Sequence, residues 1–259
     1  MAEWRHPVGI PNTGETHTIG QAFSRSRRAR QGQGIAIIQG MSDATLGARQ
    51  RVPWTWWLMF GLAIAIAGYA LSFVVKGEAA FPPNLRASFG ARPWGIYSHV
   101  VFGAVALALG PFQFRRGLLL RNRPLHRRLG LAYVVCSAMT GVVGMYMAVY
   151  SYGGLVTHLG FGMLGFATLV TALKPYFHIR AHDVAPHRAW MIRNYALIFA
   201  AVTLRIELPL MAMAMRDFDT PYAIVSWMCW VPNLAFAEWY LRRSRSAATD
   251  LPRHSLAAA

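Results

Sequence analysis

An all-α integral membrane protein with six transmembrane helices is what this sequence predicts, and three observations carry that reading. The 259 residues are 55% hydrophobic and only 14% charged, which is too apolar for an ordinary soluble domain. Several apolar runs reach the length of about 18 residues at which a helix crosses a hydrocarbon core roughly 30 Å thick. The basic residues, all arginine except Lys76 and Lys174, gather between those runs. A net charge of +16 is therefore assigned to membrane topology and not to a nucleic-acid partner.

Residues 1–52 are polar, with an arginine run at Arg25, Arg27, Arg28 and Arg30, and predict a disordered basic segment. The apolar stretch at residues 35–38 is too short for the core of a signal peptide. Met41 opens a second candidate start of translation. The transmembrane domain is expected over residues 53–241, and residues 242–259 predict a polar, disordered tail.

Span 1 is expected over residues 54–75. Pro53 suits a helix start, and Trp54, Trp56 and Trp57 suit an interfacial anchor. Pro82, Pro83 and Pro93 mark a loop before span 2, residues 94–114. A strongly basic loop over residues 115–128 leads to span 3, residues 129–150. The turn Tyr152-Gly153-Gly154 leads to span 4, residues 155–173. A second basic loop over residues 174–188 precedes span 5, residues 189–215, and a turn from Asp217 precedes span 6, residues 222–241. Cys136 and Cys229 both fall inside spans, so no disulfide framework is implied.

Orientation follows from charge. With Arg193 counted at the edge of span 5, one side of the membrane carries 21 of the 26 Lys and Arg residues, and the other carries Lys76, Arg86, Arg92 and Arg216. The positive-inside rule then puts both termini in the cytoplasm. The expected location is a bacterial inner membrane, with the lipid bilayer as the first partner and a homo-oligomer left open.

Spans 2–3 and 4–5 read as a parallel internal repeat. The first copy begins His99-Val-Val-Phe-Gly103 and the second His158-Leu-Gly-Phe-Gly162. Each passes a proline and an aromatic (Pro111-Phe112, Pro175-Tyr176) and ends on a histidine–arginine pair, His126-Arg127 or His187-Arg188. The intervals between histidines are 27 and 29 residues. Such units would be related by an axis along the membrane normal. Ionisable residues inside a membrane default to a functional reading, and two histidines on facing helices are the axial ligand set of a haem iron. His99, His126 and His158 each have a glycine four residues on, at Gly103, Gly130 and Gly162, on the same helix face. The competing explanation is close helix packing, because Gly141, Gly144, Gly160 and Gly165 make these spans glycine-rich anyway.

The motifs His126-Arg-Arg-Leu-Gly130, His187-Arg-Ala-Trp-Met-Ile-Arg193-Asn-Tyr-Ala and Trp230-Val-Pro-Asn-Leu-Ala-Phe-Ala-Glu238 resemble a family of bacterial predicted membrane proteins, the 2306 domain of unknown function, over about residues 94–240. The architecture also resembles cytochrome b561, which has six helices and ligand histidines on helices 2 and 4 and on helices 3 and 5. That resemblance implies one or two b-type haems held by His99 with His158 and by His126 with His187. It implies transmembrane electron transfer between a donor and an acceptor that the sequence does not identify. His126 and His187 lie closer to their helix starts than the resemblance suggests, so the outer pair is favoured.

Arg205 and Glu207 fall in the outer half of span 5. Arg205 is a candidate partner for a haem propionate, and Glu207 a candidate for proton transfer or a polar contact between helices. Glu238 is expected to meet Arg188 or Arg193, and Asn233 to serve a carbonyl freed by Pro232. Met211, Met213 and Met215 are read as packing. The alternative function is a metal-dependent membrane hydrolase using His178, His182, Asp183 and His187. A transporter or structural role is the third reading, and no discontinuous helix is evident in the sequence to favour it.

Overall fold

The computed structural model describes residues 52–81 and 83–249, with side chains through Ser244. Residues 1–51 and 250–259, on which most of the expected disorder falls, lie outside the described residues. All regular structure among the described residues is helical. The elements are α1 (Trp54–Lys76), a 3₁₀ turn (Glu78–Ala80), α2 (Pro83–Gly90), α3 (Pro93–Gln113), α4 (Arg116–Arg121), α5 (Arg123–Val149), α6 (Leu155–Arg180), α7 (Val184–Ile198), α8 (Ala200–Met215), α9 (Asp219–Met228) and α10 (Val231–Thr249).

Five segments are long and apolar enough to cross a membrane: α1, α3, α5, α6 and the joined run of α7 and α8. The residues expected as span 6 form α9 and α10, interrupted at Cys229 and Trp230. Two helices also occupy expected loops, α2 and α4. α5 begins at Arg123, inside the expected basic loop, and α6 runs on to Arg180 through Pro175. The backbone of α10 likewise continues past Leu241 to Thr249. Hydropathy reports where the hydrocarbon ends, and a helix with charged residues continues past that plane.

The absence of discontinuous helices is corrected by the structure. α7 and α8 are interrupted at Phe199, where neither glycine nor proline signals it. The second interruption, between α9 and α10, precedes Pro232. Asn233 serves both breaks: its Nδ2 donates to Ala196 O at 3.3 Å, to Cys229 O at 3.0 Å and to Thr203 Oγ1 at 2.9 Å. Asn233 thus satisfies carbonyls of Ala196 and Cys229, but the carbonyl four residues before Pro232, that of Met228, is not one of them.

Contacts at the two ends show that successive long helices alternate in direction. At the basic end, Trp56 Nε1 at the start of α1 donates to Pro111 O near the end of α3, at 3.0 Å. His187 Nδ1 near the start of α7 meets Pro175 O toward the end of α6, at 2.9 Å. At the opposite end, the Arg92 guanidinium before α3 lies 3.6 Å from the ring centre of Tyr150, after α5. Trp227 Nε1 in α9 donates there to Val156 O at the start of α6, at 3.2 Å.

α5 and α6 pack almost backbone to backbone. A methyl group at Gly141 would lie 2.8 Å from Gly165 O, and one at Gly160 would lie 2.5 Å from Ser226 Oγ. Close packing thus accounts for these glycines, as small residues allow between membrane helices. The interior is pinned by Asn194 of α7, fully buried. Its Oδ1 accepts from Tyr133 Oη at 2.6 Å and Ser137 Oγ at 2.9 Å, and its Nδ2 donates to Thr168 O and Thr171 Oγ1, both at 3.0 Å. One side chain therefore joins α5, α6 and α7 with every amide valence used.

Candidate functional site

The two histidine pairs are placed differently. His126 occupies the first turn of α5, behind the cap in which Asn122 Oδ1 accepts from Leu125 N at 3.0 Å. His187 occupies the first turn of α7. The two rings are within electrostatic reach of each other. Helix register explains why. The Tyr133–Asn194 hydrogen bond clamps α5 to α7, and each partner stands seven residues beyond its histidine. Both helices start at the same end, so equal steps of about 10 Å bring the two histidines to one level.

The chemistry at this end is incompletely satisfied. His187 Nδ1 faces Pro175 O at 2.9 Å; a carbonyl only accepts, so Nδ1 carries a proton, and in a neutral ring Nε2 is the nitrogen left to ligate. His126 Nδ1 is buried without a hydrogen-bond partner. Gln113 Nε2, at the end of α3, is a second buried group without one. Its amide oxygen lies over Gly130, 3.0 Å from where a Cβ would stand, one turn beyond His126. Gln113 is a residue that the sequence reading missed; its only signal is a polar side chain at the edge of an apolar run.

At the opposite end, His99 of α3 also has a buried Nδ1 without a partner. Its ring faces Thr140 and Arg205. The glycine that accommodates it is Gly144 on α5, where a Cβ would lie 3.3 Å from His99 Cε1; Gly103, four residues on along its own helix, instead faces Thr140. His158 Nε2 donates to Ser151 O at 2.8 Å, which leaves only Nδ1 as a ligating nitrogen. Gly144 is level with Gly165 of α6, and His158 lies seven residues before Gly165. The His99 ring thus stands near the level of Gly165, about two turns along α6 from the backbone of His158.

Arg205 and Glu207 point to different faces of α8, as their spacing requires. Arg205 Nη1 donates to Ala201 O at 3.0 Å, and its guanidinium lies 5.9 Å from the Tyr69 ring centre. Glu207 faces Cys229, with Oε2 buried and without a hydrogen-bond partner. Glu238 meets Arg193, one of its two expected partners, at 2.5 Å and 3.0 Å in a bidentate pair. Trp190 is flanked by Lys174 at 4.4 Å and Arg193 at 4.6 Å.

The hydrolase histidines do not converge. His178 Nδ1 lies 3.8 Å from Asp183 Oδ2, while His187 turns to Pro175. Among the described residues, no group of three or more His, Cys, Asp or Glu side chains is arranged to hold a metal ion. Cys136 and Cys229 are free thiols.

No curated protein and no solved structure matches the chain. Residues 96–241 match the family model described as "Predicted membrane protein (DUF2306)". The match spans α3 through most of α10 and exceeds half of the 259 residues, so the chain belongs to that family of predicted membrane proteins.

Proposed function

We propose that this membrane protein holds b-type haem and passes electrons across the bilayer, with His126 and His187 as the principal ligand pair. The observation that carries the reading is the Tyr133–Asn194 hydrogen bond joining the two helices seven residues beyond each histidine, with His187 within electrostatic reach of His126. The donor set fits the group: His187 is oriented through Nδ1 with Nε2 left to ligate, and His126 brings a buried, unpartnered nitrogen. A haem with both axial positions filled supplies one-electron transfer and not oxygen binding. His99 and His158 are retained as a second pair, with Arg205 offering positive charge to a propionate. In this reading the chain crosses a bacterial inner membrane six times, both termini are cytoplasmic, and spans 2–3 and 4–5 descend from one duplicated unit.

The transporter reading gains from the paired helix interruptions, since broken helices form substrate sites in many transporters. However, Asn233 occupies carbonyls at both breaks, so they are not left to coordinate an ion. The test of the haem reading is the reduced-minus-oxidised visible spectrum of the detergent-purified chain from haem-supplemented cells, with haem counted per chain. Sharp low-spin b-type bands are the expected result. A colourless protein overturns the proposal.

A further inference from the structure

At the basic end, a surface cavity of about 390 Å³ is lined by Arg123, Pro124, Arg127 and Arg128. Arg123 and Arg127 are four residues apart, which stacks them on one face of α5. No hydrogen bond or ion pair engages these three guanidinium groups among the described residues. Three cations around one cavity repel one another, and an anion between them relieves that repulsion. Arginine in particular offers a planar fork of donors matched to phosphate oxygens.

The surroundings specify which phosphate. α4 leads directly into this turn and exposes Leu119 and Leu120, the latter 63% exposed; Leu125 is exposed beside the arginines. An apolar surface adjoining a cationic cavity suits a molecule with a phosphate head and acyl chains better than free phosphate. We propose that this cavity binds the phosphate of an anionic glycerophospholipid.

The experiment is native mass spectrometry of the detergent-purified full chain with equal amounts of phosphatidylglycerol and phosphatidylcholine of matched acyl chains. Preferential retention of phosphatidylglycerol is expected. Replacing one arginine by glutamine should lower that preference about fivefold, and replacing all three roughly a hundredfold. Arg180→Gln, at the same end but outside the cavity, should leave it unchanged. If the triple variant elutes as aggregate, Arg127→Gln alone carries the comparison. Equal retention of the two lipids, or a preference that survives the substitutions, reduces the arginines to topological charge and overturns the proposal. Displacement of the lipid by millimolar inorganic phosphate would assign the cavity to soluble phosphate and also overturn it.

Discussion

The two ends of the helix bundle carry histidine pairs that are equivalent in sequence and unlike in structure. His126 and His187 stand seven residues below a direct hydrogen bond between their helices. Among the described residues no comparable side-chain hydrogen bond joins the helices of His99 and His158; His158 is held by Ser151 O much as His187 is held by Pro175 O. The intervals of 27 and 29 residues make the pairs look interchangeable. The two copies diverge between their histidines: α3 ends two residues after Pro111, whereas α6 continues five residues past Pro175. What differs between the pairs is axial register, and register is set by the polar contacts between helices.

The sharpest test compares the pairs directly. If haem is held as proposed, His126→Ala and His187→Ala should each abolish a low-spin haem spectrum from the basic end, removing one haem per chain. His158→Ala should leave that haem in place. The opposite pattern, with loss in His158→Ala and retention in His126→Ala, would reverse the ranking of the two ends.

The clamp comes next. Asn194→Leu removes four hydrogen bonds. At about 0.6 kcal/mol for each polar contact between membrane helices, the loss is roughly 2 kcal/mol. Denaturant unfolding of the detergent-solubilised protein measures it. The same variant should broaden or shift the haem spectrum of the basic end, because His126 and His187 lose their common level. A stability loss with an unchanged spectrum would show that register does not depend on Asn194.

A smaller effect is expected from Gly144→Ala. The added methyl would stand 3.3 Å from His99 Cε1, so the ring must give by a few tenths of an ångström. Any spectral change should be confined to haem held by His99, with the His126 and His187 site unaffected. A change in the latter would mean that the two ends are coupled through α5.

The membrane class, the long helices and the Arg193 partner of Glu238 were legible in the sequence because each rests on a local rule. Apolar length predicts a span, and a carboxylate near arginines at a membrane edge predicts an ion pair. The preference for the outer histidines rests on depth along the chain, whereas the preference for the basic end rests on contacts between helices that a single sequence does not display. Asn194 lay within a motif but gave no sign of its role, since a four-bond hub depends on residues from three helices. The helix break at Phe199 had no proline or glycine to mark it. Close packing, the competing explanation for the glycines, holds at Gly141, Gly160 and Gly165, and the glycine beside His99 is on α5 and not four residues along its own helix.

The mildest prediction concerns the turn at the His99 end. The Asp217 carboxylate accepts from the backbone N–H groups of Phe218, Asp219 and Thr220 at 2.7, 3.2 and 3.1 Å. Hydrogen bonds to the charged form, chiefly from Thr220, lower its pKa from the ordinary aspartate value of 3.8 to about 2. Because the folded value is the lower one, this contribution is fully present above the unfolded value and is lost as pH falls through the folded value. The turn before α9 should therefore hold from neutral pH down to about 4 and loosen between about 4 and 2. Amide hydrogen exchange over residues 217–220, corrected for the intrinsic pH dependence, reads it. Asp217→Asn, which cannot ionise, should abolish that pH dependence. The basic end has no part in this turn, so exchange in the first turn of α5 should not follow the same curve. If both ends loosen together, acid acts on the whole bundle and not on the Asp217 turn.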